Sequence, residues 1–276
     1  VPLPPRTVAI TFDDAYVSVH EEAMSRLRAR DFPFTVFANT DAVDAGHAAT
    51  MTWDQLRAVE AAGGRVGNHS ASHAHFVRRL EGEDRAAWRA RVRADLLRAR
   101  DRLREELEAP LDVVAWPYGE FDADLEAIAA ELGWAALGQQ SGPAGPGSSR
   151  TALPRFPMAT GYADVDAFAE KLRTRPMPVS VLAPRSRVLP PAAPAPTLEL
   201  EIGEAVPLDR LACYVAGQEP ARIERRSGRV VAITARQPLG AGRSKYNCTA
   251  PAGNGAFHWY SHLWIQPRDD GSWYEG

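Results

Sequence analysis

Two adjacent aspartates, Asp13 and Asp14, close the apolar run in "VAITFDDAY", residues 8–16. Like charges side by side at a strand end repel each other and resist burial. A divalent cation is the partner that would make the arrangement favourable. The plainer alternative is a strand ending in a turn, with one aspartate capping the next helix. A second stretch, "GNHSASH", places His69 and His73 at the end of another strand-like segment. Histidines four apart share a face if a helical turn follows, and can then grip one ion; histidines also cap helices or sit satisfied in cores. Asp14 with the two imidazoles would leave coordination positions open for water and substrate, the mark of a catalytic metal site. In the third stretch, "AWPYGEFD" (115–122), Pro117 and Gly119 fix a tight turn that could aim a backbone N–H into such a site. An ordinary loop before a helix capped by Asp122 is the alternative.

These three stretches meet only if the chain brings strand ends to one rim. Residues 7–12 (TVAITF) and 34–38 (FTVFA) are short continuous apolar runs of the kind found in strands buried on both faces. Residues 63–69 and 111–118 are two further strands, and 133–138 a weaker fifth. Helical patterns fill 18–30, 52–62, 84–108 and 122–132. In the third of them Trp88, Val92, Leu96, Ala99, Leu103 and Leu107 form one apolar stripe. Its arginines are interleaved with Asp and Glu and read as a solvated face. Strand–helix alternation predicts a parallel α/β sheet or barrel, in which the C-terminal strand ends converge.

The pattern changes after residue 182. A segment crowded with proline and alanine, 183–196, reads as a semi-rigid linker between a domain at 1–182 and a small β-rich domain at 197–276. In the latter, "LELEI" (198–202) alternates strictly, and 211–215, 229–234 and 257–265 read as further strands. Cys213 and Cys248 both fall here, where a disulfide would help a small domain most; a bridge, and with it export, is the expectation, with two buried free thiols as the alternative.

The 276 residues suffice for one large or two smaller domains, and 45% hydrophobic with 24% charged residues is ordinary for a globular protein. A formal charge of −3 gives no reason to expect nucleic acid as a partner. No apolar run is long enough to form a transmembrane segment. The chain opens at Val1 almost inside the first strand, so the lack of a visible leader says little about export.

Taken in this order and at these separations, the stretches resemble the polysaccharide deacetylase family, also called NodB-homology or carbohydrate esterase family four. "TFDD" is similar to its first motif, "HSASH" to its second, and "WPYG" to its third in the form of the enzymes that act on poly-β-1,6-N-acetylglucosamine. "FPFTVFANT" and "MTWDQLRAVEAAGGRVGNHSASH" also resemble that subgroup, and the resemblance covers roughly residues 6–160. It implies a distorted (β/α) barrel that removes acetyl groups from N-acetylated sugars; the expected substrate is an N-acetylhexosamine polysaccharide, and the expected disulfide puts the site of action in the periplasm or outside the cell. Other exopolysaccharide-modifying proteins are then candidate partners. It also implies a divalent metal on Asp14, His69 and His73, zinc first and cobalt or nickel as alternatives. Asp13 would be the general base, the Tyr118 backbone N–H an oxyanion donor, and Trp116 and Pro117 a wall against the sugar, a core role for Trp116 being the alternative.

Two departures stand out. The wider family has an arginine two residues before the proline of its third motif, where this chain has Ala115; Arg155 in "LPRFPM" is the candidate replacement. The family's late Leu-x-His motif supplies a general acid, yet no histidine lies between His75 and His258. In "FHWYSHLWI" alternation puts Phe257, Trp259, Leu263 and Ile265 on one face, expected to be core, and His258, Tyr260, His262 and Trp264 on the other. That second face is expected to pack on the barrel, with His262 as the acid and His258 and Trp264 against substrate. The alternatives are surface or interface histidines, an amidohydrolase of the same fold acting on a small amide, and a non-catalytic carbohydrate-binding relative.

Overall fold

The computed structural model describes residue 4 and residues 6–275. The chain divides into two compact units, Val1–Gly119 with Asp124–Leu137, and Glu120–Ala123 with Gly138–Gly276.

The first unit is built on a five-stranded parallel sheet in sequential order: β1 (Ile10–Phe12), β2 (Phe34–Ala38), β3 (Arg65–Asn68), β4 (Leu111–Ala115) and β5 (Ala135–Leu137). These are the five strands expected, trimmed at their ends. It is the distorted (β/α) barrel implied by the resemblance, reduced to a five-stranded arc. A π-helical turn and α1 (Met24–Arg28) follow β1; α2 (Thr40–Asp44) and α3 (Trp53–Ala61) follow β2. The α3 start is set by a capping box: Thr52 accepts from the Gln55 amide and Gln55 returns a bond to the Thr52 N–H. Helix α4 (Arg85–Glu106) is capped by Asp84 and buries the stripe Trp88, Val92, Leu96, Ala99 and Leu103, as the spacing requires. Helix α5 (Ala123–Glu131) follows β4. Because every strand runs the same way, Asp13, His69 and Trp116 all leave C-terminal strand ends on one rim.

The second unit carries a short helix, α6 (Val165–Lys171), and two four-stranded sheets. One sheet orders β10 (Arg222–Arg225), β11 (Val230–Thr234), β8 (Thr197–Ile202) and β7 (Val179–Ala183); the other orders β6 (Arg175–Pro176), β13 (Ala256–Gln266), β12 (Gly242–Gly253) and β9 (Ala212–Val215). Both contribute to one core: Leu198, Leu200 and Ile202 from β8 and Val231 and Ile233 from β11 meet Cys213, Tyr246, Cys248 and Trp264 from the other sheet. Strand β8 points its leucines inward and Glu199 and Glu201 outward, as its alternation requires. Cys213 and Cys248 are bonded, across directly paired positions of β9 and β12.

Two expectations change here. The compact units do not divide at 183–196: β6 and β7 already belong to the C-terminal sheets, and the Pro/Ala-rich stretch is packed. Val188 bridges to Ile265, Leu189 donates to the Ile265 carbonyl, and the carbonyls of Pro190 and Pro196 accept from Gln266 and Tyr246. Proline lacks an N–H but keeps a full acceptor, so such a stretch can line a core. The faces of β13 are also reversed. Its partner β12 places Tyr246, Cys248 and Ala250 opposite His262, Tyr260 and His258, and these β12 residues are core, so the histidine face looks inward. The other face carries exposed Phe257 and is partly covered by the 138–156 segment, where Phe156 meets Trp259 edge-on and Lys245 donates to the Gln139 carbonyl.

Candidate metal centre and active site

The loop after β1 turns sharply. Asp14 and Ala15 adopt left-handed backbone, φ 67° and 50°, and the loop is tied down where Met51 donates to the Ala15 carbonyl and Val17 to the Ala49 carbonyl. The turn swings the Asp14 carboxylate towards the end of β3. There Asp14 Oδ1 lies 3.3 Å from His69 Nε2 and 3.1 Å from His73 Nε2, and the two Nε2 atoms are 3.3 Å apart. The spacing between the histidines is realised by a turn, not a helix: Ser70 and His73 are also left-handed, and the His73 N–H is held by Ser70 Oγ at 2.8 Å.

The donor set fits a divalent cation. His69 is buried and its Nδ1 lies 2.8 Å from the Ala115 carbonyl, so that nitrogen carries the proton and Nε2 presents a lone pair to the cluster. A carboxylate oxygen and two imidazole nitrogens, all within 4.8 Å of one another, face a common point. Burial pushes the Asp14 carboxyl up, but His69 and His73, when protonated on Nε2, hydrogen-bond it and outweigh that effect, holding the group below the ordinary carboxylate range. Three protein ligands leave the open positions a catalytic site needs.

Asp13 directly follows β1 and is half-buried. Tyr118 follows Pro117 with φ 59° and ψ 4°, in a turn closed by the Gly119 N–H on the Trp116 carbonyl at 2.8 Å. Its ring lies 4.6 Å from that of His73. Trp116 is fully buried, and its backbone N–H donates to the Leu137 carbonyl, so it is core and not a wall for sugar.

Two neighbours escaped the sequence reading. His75 stacks on Tyr118 with ring centres 3.6 Å apart and planes within 3°. Tyr16 hydrogen-bonds Asp14, whose charge raises the pKa of the phenol. Each stands two residues beyond a member of the cluster, Asp14 or His73, that is itself in left-handed backbone.

The residues expected from the second unit are placed differently. His262 is 2% exposed, its Nδ1 is 3.2 Å from the Tyr260 hydroxyl, and its ring packs on Trp264. Burial, aided by the positive Arg187, pushes His262 down to about 3, so it is neutral at ordinary pH and unsuited to donating a proton. Trp264 is fully buried against Tyr246, and His258 is buried with Nδ1 3.4 Å from the Pro176 carbonyl; neither offers a face to substrate. Arg155 donates through Nε to the Gly138 carbonyl at 2.8 Å.

A parallel strand-and-helix sheet with an Asp–His–His cluster on its C-terminal rim is an arrangement that could hold a metal ion where strand-end loops converge. The polysaccharide deacetylase family model matches residues 1–137, and the chain belongs to that family. The deacetylase domain of BpsB from Bordetella bronchiseptica is similar at 28% identity, over 56% of this chain and 72% of that one, with a TM-score of 0.51. The deacetylase PplD from Streptococcus pyogenes (22%, covering 56% and 66%, TM-score 0.50) and a de-N-acetylase from Aggregatibacter actinomycetemcomitans (18%, covering 61% and 77%, TM-score 0.52) share the fold. No curated protein matches the chain.

Proposed function

We propose that this protein hydrolyses N-acetyl groups on an N-acetylhexosamine polysaccharide, releasing acetate and leaving free amines. The observation that carries this reading is the convergence of Asp14, His69 and His73 beside Asp13 on the rim of a deacetylase-family sheet. A divalent cation held by those three residues, zinc by preference, would polarise an amide carbonyl and lower the pKa of the attacking water. Asp13, adjacent but outside the ligand cluster, takes the proton from that water as general base. Tyr118, locked by its turn, offers the backbone N–H that the family uses for the oxyanion. His262 is not assigned as the acid.

The motif text favours a β-1,6-linked exopolysaccharide as substrate. The disulfide supports a site of action outside the cytoplasm, and among the described residues no helix is long and apolar enough to cross a membrane. The test is acetate release from β-1,6-linked N-acetylglucosamine oligomers, chitooligosaccharides, N-acetylgalactosamine polymers and peptidoglycan, before and after chelation. The expected result is release from the β-1,6 oligomers that chelation abolishes and zinc or cobalt restores. Full activity in a metal-free sample would refute the mechanism.

A further inference from the structure

The turn that carries both histidines is gripped from outside the site. Asp95 Oδ1, on α4, accepts from the backbone N–H of Ala71 at 2.8 Å and of Ser72 at 3.4 Å. On the opposite side the first residues of α2 hold the same turn: Thr40 N–H donates to the Ser70 carbonyl and Asp41 N–H to the Ala71 carbonyl. Arg98, on α4 just beyond Asp95, ties the two sides together. Its guanidinium donates to both oxygens of Asp41 and reaches Asp95 Oδ2 at 3.4 Å. Asn68 adds a second tether to α4, donating to the Leu96 carbonyl while accepting from Ser70 N–H.

This support answers a need. Ser70 and His73 are non-glycine residues in left-handed backbone, a conformation that costs about 1–2 kcal/mol each. Relaxing either would swing His73 away from His69 and Asp14. The Asp95 carboxylate lies mostly out of solvent, where a charge-assisted bond to a backbone N–H is strong.

We propose that Asp95 is a positioning residue for the metal centre: with Arg98 and Asp41 it clamps residues 70–72 so that the two imidazoles converge with Asp14. This rests on the metal reading above, so its test includes a measurement that does not. The full chain is compared with Asp95→Ala, Asp95→Asn, Arg98→Met and, as a control on the same helix, Arg89→Met, whose partners are Asp124 and Glu131. Hydrogen–deuterium exchange of residues 69–75 is followed in chelator-treated protein, and zinc affinity by competition with a chromophoric chelator. Asp95→Ala should lose tenfold or more of the protection at Ala71 and Ser72 and bind zinc about 10–100-fold more weakly. Asp95→Asn, which keeps an acceptor oxygen, should fall between it and wild type, and Arg89→Met should match wild type. Arg98→Met keeps Asp95 and should show a smaller loss in both readouts; it carries the test if Asp95→Ala does not fold. Wild-type exchange at Ala71 and Ser72 in Asp95→Ala, or an equal loss in Arg89→Met, overturns the proposal. Lost protection together with no zinc binding even by wild type refutes the metal reading and leaves the clamp standing.

Discussion

Replacing His262 by glutamine should make the protein more tolerant of acid. His262 is sealed in the core of the second unit between Tyr260, Trp264 and Tyr246, with Arg187 the charged group that acts on it. Its folded-state value of about 3 lies well below the ordinary 6.5. The unfolded chain therefore binds a proton that the folded chain refuses, and stability falls as pH drops below 6.5 until about 3. At about 1.4 kcal/mol per pH unit, this one group removes roughly 2–3 kcal/mol between pH 6.5 and 4.5. Above pH 6.5 both states are neutral and the contribution vanishes. Glutamine fills a similar volume and can still meet the Tyr260 hydroxyl, but does not titrate. Urea unfolding at pH 7.0, 5.5 and 4.5 should show the wild type losing about 2–3 kcal/mol more than His262→Gln over that range. Turnover at pH 7 and the alkaline limb of the pH–rate profile should be the same in both. Parallel acid-side losses would refute the neutral, buried histidine, and a vanished alkaline limb would return His262 to the role of acid.

Gly67 lies two residues before His69, and a methyl group there would come within 2.7 Å of the buried Phe37 ring and 3.3 Å of the Val113 carbonyl. Gly67→Ala should cost about 1–3 kcal/mol in urea unfolding and weaken metal binding with it; wild-type values for both would show that the sheet yields freely. The two adjacent aspartates should separate cleanly: Asp13→Asn should lose rate about a hundredfold or more yet keep its metal, whereas Asp14→Asn should lose both, as read by turnover and metal content. Equal metal loss in the two would sink the division of labour.

The first unit was legible because its signals are local. Short apolar runs gave the five strands, the helix-period stripe gave α4, and ligand-type residues at strand ends gave the cluster. Failure came where a rule had two solutions. Alternation in "FHWYSHLWI" separates two faces but cannot say which is inward when both are largely covered, and the core residues of β12 decided that from another part of the chain. Composition marked 183–196 as a linker, but proline carbonyls are acceptors, and the contacts that bind them come from Tyr246 and Gln266. Asp95 sits on the charged side of α4 and reads as one of many solvated acids. Its partners are backbone amides of a turn over twenty residues away, which no side-chain pattern records.

The residues that sequence reasoning could place but not aim share one property. Asp14, Ala15, Ser70, His73 and Tyr118 all adopt backbone that glycine would prefer. At about 1–2 kcal/mol each, their combined cost is comparable with the net stability of a typical domain. Glycine would remove that strain, but at Asp14 and His73 it would also remove the carboxylate and the imidazole of the cluster, and at Tyr118 the ring that packs on His73 and His75. The strain therefore has to be offset by groups that hold the turns without entering the site. The Ala15 carbonyl held by Met51, the His73 N–H on Ser70, the grip of Asp95 on Ala71 and Ser72, and the Gly119 N–H on Trp116 all do this. Such contacts act on the turns that bring Asp14, His69 and His73 together, so the cluster is organised by the protein itself, in keeping with the proposed three-ligand site that leaves its remaining positions open.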